Sequence, residues 1–193
     1  MRNPPHITGL ILAGGAGRRT GGSDKGLLQW RGKPLVEHVA QCLQQQVDRL
    51  LVSCNRNIAR YEALGFTTVV DKRADFQGPL AGLEAAAKEI TGDVIVIAPC
   101  DNPTLPSDIV SRLLQPLLND PGVGISYVND GHRDHYLNAA IRLSCLDGLE
   151  SYLDAGGRTV RHWYALHHSV AVDFSDTPFF PNLNSLTGEF PET

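Results

Sequence analysis

The sequence predicts an α/β protein of three layers, α/β/α, around a central sheet that is mostly parallel but mixed. Three observations carry that prediction. Apolar runs alternate with segments of helical periodicity through roughly the first 120 residues, and strand–helix–strand units this short pair in parallel through right-handed crossovers. Residues 93–99 (DVIVIAP) are β-branched and apolar on both faces, as befits a central strand covered by helices on each side. After residue 120 the alternation stops, and two strand-like segments flank a polar stretch, which reads as an antiparallel addition.

The elements run in order along the chain. Residues 7–12 (ITGLIL) form a short apolar run ended by glycines, a buried strand. Residues 34–46 place Leu35, Val39, Cys42, Leu43 and Gln46 at helical spacing, with Pro34 suited to a first turn. Residues 49–54 read as a strand, 58–65 as a short helix closed by Gly65, and 67–70 as a strand. Residues 79–90 are alanine-rich and helical, with Gly92 as the stop, and 106–118 form a helix in which Pro116 predicts a bend. Residues 122–128 and 136–143 are strands joined by NDGHRDH. No repeat, low-complexity tract or linker divides the chain, and 193 residues fit one domain on the prior of roughly 100–200 residues per domain.

Composition excludes several classes. The chain is 42% hydrophobic and 20% charged, with a net charge of −4, ordinary for a soluble globular protein and unsuited to a general nucleic-acid binder. Cys42, Cys54, Cys100 and Cys145 are far apart among apolar neighbours, which suits free thiols in a reducing compartment. The apolar run at 7–13 breaks into glycines, so no secretory signal is visible. Nothing approaches the roughly 20 apolar residues of a membrane span. A cytoplasmic protein is expected.

Basic residues are clustered: Arg18, Arg19, Lys25, Arg31 and Lys33 face only Asp24 within the same stretch. The stretch that contains them, LAGGAGRRTGGSDKGLL, nearly matches two phosphate-binding fingerprints and fits neither. A dinucleotide fingerprint needs a third glycine where Thr20 stands. A Walker loop needs Lys-Ser or Lys-Thr where Ser23-Asp24 stands. There remains a strand running into glycines whose backbone N–H groups can cradle an anion, with Arg18, Arg19 and Lys25 adding charge. The competing reading is a flexible loop with solvated arginines.

In an open α/β sheet, ligands bind beyond the carboxyl ends of the parallel strands. Those ends hold Gly14-Gly15, Asn55, Asp71 and Asp101. A lone Asp there is often a cap or turn former; in such a role Asp101 would serve the turn at Asn102-Pro103, and Asp71 would pair with Lys72 or Arg73. Four such positions converging at one edge favour a nucleotide site. One carboxylate facing a phosphate cradle suits Mg²⁺, which takes one or two protein carboxylates and completes its shell with phosphates and water.

These motifs, together with GKPL at 32–35, GPLAG at 78–82 and PCDNPTL at 99–105, resemble those of the molybdenum cofactor guanylyltransferases, within the nucleotidyltransferase superfamily. The resemblance runs from Ile7 to about Asn184 and is densest through residue 107. It implies a Rossmann-like fold of the nucleotide-diphospho-sugar transferase type, with 1–107 as the nucleotide-binding part and 120–184 as the acceptor-side part. It implies transfer of GMP from GTP to the terminal phosphate of molybdopterin, with release of pyrophosphate. Leu12, Ala13, Gly14, Lys25, Asp71 and Asp101 carry over as nucleotide-binding residues, joined by Gly15, Asn55 and Gly78. Lys25, Asp101 and Arg19 are the expected catalytic residues. Asp101 is the expected ligand of Mg²⁺, with Mn²⁺ an acceptable substitute. Arg133, Asn182 and Asn184 are expected on the acceptor side. GTP and molybdopterin are the expected substrates, with transient contact to cofactor-insertion proteins or molybdoenzymes, no nucleic-acid or membrane partner, and a monomer sufficient for the chemistry.

Departures from the family pattern are Thr20 in place of Met, Ser53 in place of an Asn that can contact nucleotide, and Tyr136 where the pattern has Pro. GHRDH at 131–135 spaces His132 and His135 as a metal pair would, but suits a solvated hairpin turn or an acceptor contact better. His162, His167 and His168 read as structural or surface residues beside Trp163 and Tyr164. The alternatives left open are a cytidylyltransferase of the same cofactor, a sugar-phosphate nucleotidyltransferase, and a non-catalytic nucleotide-binding regulator.

Overall fold

The computed structural model describes residues 4–15, 24–74 and 76–176. Arg18, Arg19, Thr20, Asn182 and Asn184 lie outside them. In chain order the elements are β1 (Ile7–Leu12), β2 (Gln29–Trp30), β3 (Lys33–Pro34), α1 (Leu35–Leu43), β4 (Arg49–Ser53), α2 (Ile58–Ala63), β5 (Thr67–Val69) and α3 (Pro79–Ala87). Then come β6 (Val94–Pro99), α4 (Ile109–Asn119), β7 (Ile125–Asn129), β8 (Asp134–Arg142), α5 (Leu149–Asp154), α6 (Val160–Tyr164) and β9 (Ser169–Asp173).

Among the described residues the large sheet has seven strands in the order β5-β4-β1-β6-β8-β7-β9. β1, β4, β5 and β6 pair in parallel. β8 runs antiparallel to both β6 and β7, while β7 and β9 are parallel to each other. The expected mixed sheet is thus present, with β8 as its reversed strand and β6 at the centre.

Alternation along the strands sorts side chains to two faces, as a period of two requires. Ile11, Val52, Val94, Val96, Ala98 and Ala140 pack with α1 and α4 on one face. Their neighbours Leu10, Leu51, Ile95, Ile97, Ala139 and Ile141 pack with α3, α5 and α6 on the other. A strand buried on both faces cannot alternate polar with apolar, which is why residues 94–98 are apolar throughout and almost fully buried.

Several sequence-based boundaries move. α1 ends at Leu43 and α3 at Ala87, because the residues beyond them form turns. α4 begins at Ile109 and continues through Pro116 to Asn119, with the Asp120 N–H donating to the Pro116 carbonyl. The hairpin of β2 and β3 was not expected; Arg31 and Gly32 both have positive φ (49° and 78°), the turn that a two-residue hairpin needs. α5, α6 and β9 are likewise elements that the sequence pattern does not predict. NDGHRDH does join two antiparallel strands, although β8 already starts at Asp134.

Candidate active site

Strand register builds the site. Leu12 aligns with both Ser53 and Pro99, and Ser53 aligns with Val69. Backbone bonds extend the ladder one residue further: Ala13 N–H to Ser53 O at 2.8 Å, Cys100 N–H to Leu12 O at 3.1 Å and Cys54 N–H to Val69 O at 3.0 Å. Gly14, Asn55, Asp71 and Asp101 each lie two residues past that aligned row, so parallel pairing delivers all four to one edge.

Two contacts organise the edge. Asn55 and Asp71 bond reciprocally: Asn55 Nδ2 donates to Asp71 Oδ2 at 2.7 Å, and the Asp71 N–H donates to Asn55 Oδ1 at 2.9 Å. Asn55 Nδ2 also lies 3.4 Å from the Gly14 carbonyl, which it donates to. Across the edge, Lys25 Nζ donates to Asp101 Oδ2 at 3.2 Å. Neither acid serves the purely local role open to it: Asp101 takes a lysine, and Arg73 pairs with Glu84 and Asp154, at 2.6 and 2.7 Å, rather than with Asp71.

Burial raises the Asp71 pKa, an effect only partly offset by hydrogen bonds from Asn55 and Ser53 and increased by the charge of Glu84. Burial also raises both nearby thiols, Cys54 to about 12 and Cys100 further. Burial therefore favours the neutral thiol at both positions.

A cavity of about 400 Å³ opens at this edge. Leu12, Ala13, Gly14, Gly15, Lys25, Asp71, Gly78 and Asp101 all line it. Asn55 stands behind Asp71, held by their reciprocal bonds. Gly78 has φ 88° and caps α3, with Pro79 at the first helical position, so a side chain at 78 would strain the turn that aims the helix start at the cavity. Gly14 and Gly15 do not have positive φ; what Gly14 provides is room, since a Cβ there would stand 3.1 Å from Asn55 Nδ2.

A second cavity of about 440 Å³ adjoins the first, and Pro79, Pro99, Asp101 and Leu137 line both. Its far wall is Arg133 to Asn138 of the hairpin and β8, with Thr159 to Arg161 from the start of α6. Arg133 lines this wall, its Nε 3.8 Å from Asp130. His135 Nε2 lies 2.7 Å from Asp130 Oδ2. Burial raises the Asp130 carboxyl, but bonds from His135 and from the backbone N–H groups of Arg133 and His132 outweigh it and hold the group far below the carboxylate range. Thus His135 engages an aspartate, and His132 is exposed. His167 packs edge-on against Trp163.

Ser53, Phe76, Gly82 and Leu137 line the first cavity without having been expected as site residues, as do Tyr136 and Arg161 in the second. For Phe76 a signal existed: an aromatic two residues before GPLAG. For Arg161 there was none, because a basic residue in a short unassigned helix looks like solvated surface.

Among the described residues no three His, Cys, Asp or Glu side chains gather as a metal cage. The chemistry of the edge still fits Mg²⁺. Asp101 is a single carboxylate, 22% exposed, opposite a lysine and between two cavities, and that ion draws most of its ligands from phosphates and water.

A cavity lined by a glycine turn and a Lys–Asp pair at the carboxyl ends of parallel strands is where such an α/β sheet takes a ligand, and comparison with known proteins makes the class a nucleotidyltransferase. Residues 9–170 match the MobA-like NTP transferase domain, and the chain belongs to that family. It is 41% identical over 184 residues to a molybdenum cofactor guanylyltransferase of Cupriavidus metallidurans, covering 93% of this chain and 91% of that one. It is 38% identical over 180 residues to one of Shewanella woodyi, covering 93% and 91%. Among solved structures, molybdopterin-guanine dinucleotide biosynthesis protein A from Archaeoglobus fulgidus superposes with a TM-score of 0.74 at 21% identity, covering 95% of this chain and 96% of that one. At that identity the likeness is one of fold.

Proposed function

We propose that this protein transfers GMP from GTP to the terminal phosphate of molybdopterin, forming the guanine dinucleotide form of the cofactor and releasing pyrophosphate. The observation that carries the reading is the wall the two cavities share at Asp101, which Lys25 engages from the first cavity. A group-transfer enzyme needs donor and acceptor to touch at one place, and here the cavities meet at Asp101. The names of the relatives supply the identity of both substrates.

In this reading the first cavity takes GTP. Phe76 offers an apolar face to the base, and the glycine turn with the start of α3 approaches the phosphates. The second cavity takes the acceptor, whose phosphate oxygen attacks the α-phosphorus as the bond to the pyrophosphate oxygen breaks. Arg133 and Arg161 hold the acceptor's anionic end, as Asn182 and Asn184 would from beyond the described residues. Lys25 compensates charge on the α-phosphate and the departing pyrophosphate, with Arg19 in the same role. Asp101 would hold Mg²⁺ (or Mn²⁺), which when bound supplies further positive charge to the phosphates. Little covalent work falls to the protein; its contribution is positioning and electrostatic stabilisation. A labile product implies protected transfer to insertion proteins or molybdoenzymes.

The test is incubation with molybdopterin, Mg²⁺ and each nucleoside triphosphate in turn, with pyrophosphate measured. Release with GTP alone is expected. Release with CTP but not GTP would overturn the base assignment, and no release with any nucleotide would overturn the enzyme reading.

A further inference from the structure

Asp24 immediately precedes Lys25, and both of its carboxylate oxygens are held from a distant part of the chain. Tyr61 Oη donates to Oδ1 at 2.6 Å, and Asn57 Nδ2 donates to Oδ2 at 3.0 Å. Both donors belong to α2 and its cap. Asn57 is the left-handed cap residue, with φ 51°, and Tyr61 is fully buried within the helix.

Gly26 makes the approach possible: a Cβ there would stand 2.4 Å from Tyr61 Oη and 3.3 Å from the Ala13 Cβ. The Asp24 carbonyl accepts the Leu27 N–H at 3.1 Å and so starts the 3₁₀ turn Lys25–Leu27. From that turn Lys25 Nζ reaches Asp101. Burial, and then the bond to Asp24, raise the Tyr61 phenol far above its ordinary range. Its hydroxyl therefore keeps its proton and remains a donor to Asp24.

A tyrosine that only filled space would need no hydroxyl, and a buried hydroxyl without a partner is costly. This one is aimed at the residue next to the lysine. Lysine has a long flexible stem whose freedom is lost whenever it engages a charge; with its backbone already anchored, only that side-chain freedom remains to be lost.

We propose that Tyr61, together with Asn57, is a positioning residue for Lys25: it fixes the Asp24 carboxylate, and through it the turn that directs the lysine ammonium toward the reacting phosphates. This rests on the nucleotidyltransferase reading of the site.

The test is Tyr61→Phe, alone and combined with Lys25→Ala, read as GTP affinity in the presence of Mg²⁺ and as kcat. Alone, the change should weaken GTP binding and lower kcat by about tenfold each, a fraction of what loss of a preorganised electrostatic group costs. In the Lys25→Ala background it should add nothing, because the group it positions is gone. A packing role alone would lower Tm and give losses that add in full to those of Lys25→Ala, which would overturn the proposal. Unchanged binding and kcat in Tyr61→Phe would overturn it as well. If Tyr61→Phe does not fold, Asn57→Gly removes the other donor while tolerating the left-handed backbone, with the same lysine-dependent loss expected. Failure of the unaltered protein to bind GTP would overturn the nucleotide reading together with this inference, whereas the other adverse outcomes overturn the inference alone.

Discussion

The two halves of the sheet build their cavities by different rules. On the side of β5-β4-β1-β6, strands end in step, and each contributes the residue two places beyond a common row. The first cavity is therefore assembled from widely separated sequence positions that share one structural address. On the side of β8-β7-β9, most of the second cavity's far wall comes from consecutive residues 133–138 and from 159–161. Parallel pairing gathers residues from many loops, whereas a hairpin presents neighbours in a row. A site of the first kind holds its geometry through the sheet, as the reciprocal Asn55–Asp71 bond illustrates. A site of the second kind depends on local turns, as the Asp130–His135 contact illustrates.

That contrast can be broken by substitution. The largest effect is expected at Asp101, which belongs to both cavities. Asp101→Asn should lower kcat by about 10²–10³-fold, the scale for losing one preorganised electrostatic group, while GTP binding survives in part. Wild-type rates would remove Asp101 from the chemistry. Next comes Lys25→Ala, expected to cost about tenfold to a hundredfold in both GTP affinity and rate; an unchanged KM would make the lysine a bystander. Arg161→Ala should raise the KM for the acceptor about tenfold, in the range of one hydrogen bond to a charged group, and leave GTP binding intact. Arg133→Ala should do less, because that guanidinium is 54% exposed and lies beside Asp130.

Much of the first cavity was legible in the sequence because its rule is simple: find the buried strands and look at the residues just past their carboxyl ends. That rule picks out Gly14, Asn55, Asp71 and Asp101, and the basic run points to Lys25. The register that aligns them was not legible, since pairing order is set by long-range packing. The second cavity was mostly hidden. Arg133 was visible within a polar turn, but α6 has five residues and β9 has three apolar residues out of five. Such short elements carry too little periodicity to distinguish them from loop, and β9 forms only because β7 offers it an edge. Tyr61 illustrates a different limit: its ring reads as core, and only the folded chain shows where the hydroxyl goes.

A smaller effect concerns stability. Burial holds the Asp71 pKa above its unfolded value, so the stability linked to this group is fully present below the unfolded pKa, near about 4, and is lost as pH rises through the folded value. Asp71→Asn, neutral throughout, should melt higher than the unaltered protein at pH 7, with the gap closing in acid, although GTP binds less well. A lower Tm at pH 7 would show that the ionised carboxylate stabilises the fold through its bonds to Asn55 and Ser53.

The division of labour between the two halves is tested most directly by titrating GTP, with Mg²⁺ and without acceptor, into Lys25→Ala and Arg161→Ala side by side. Weakened binding is predicted in the first, and binding equal to the unaltered protein in the second. Equal loss in both would mean that the two cavities act as one site and would contradict that division.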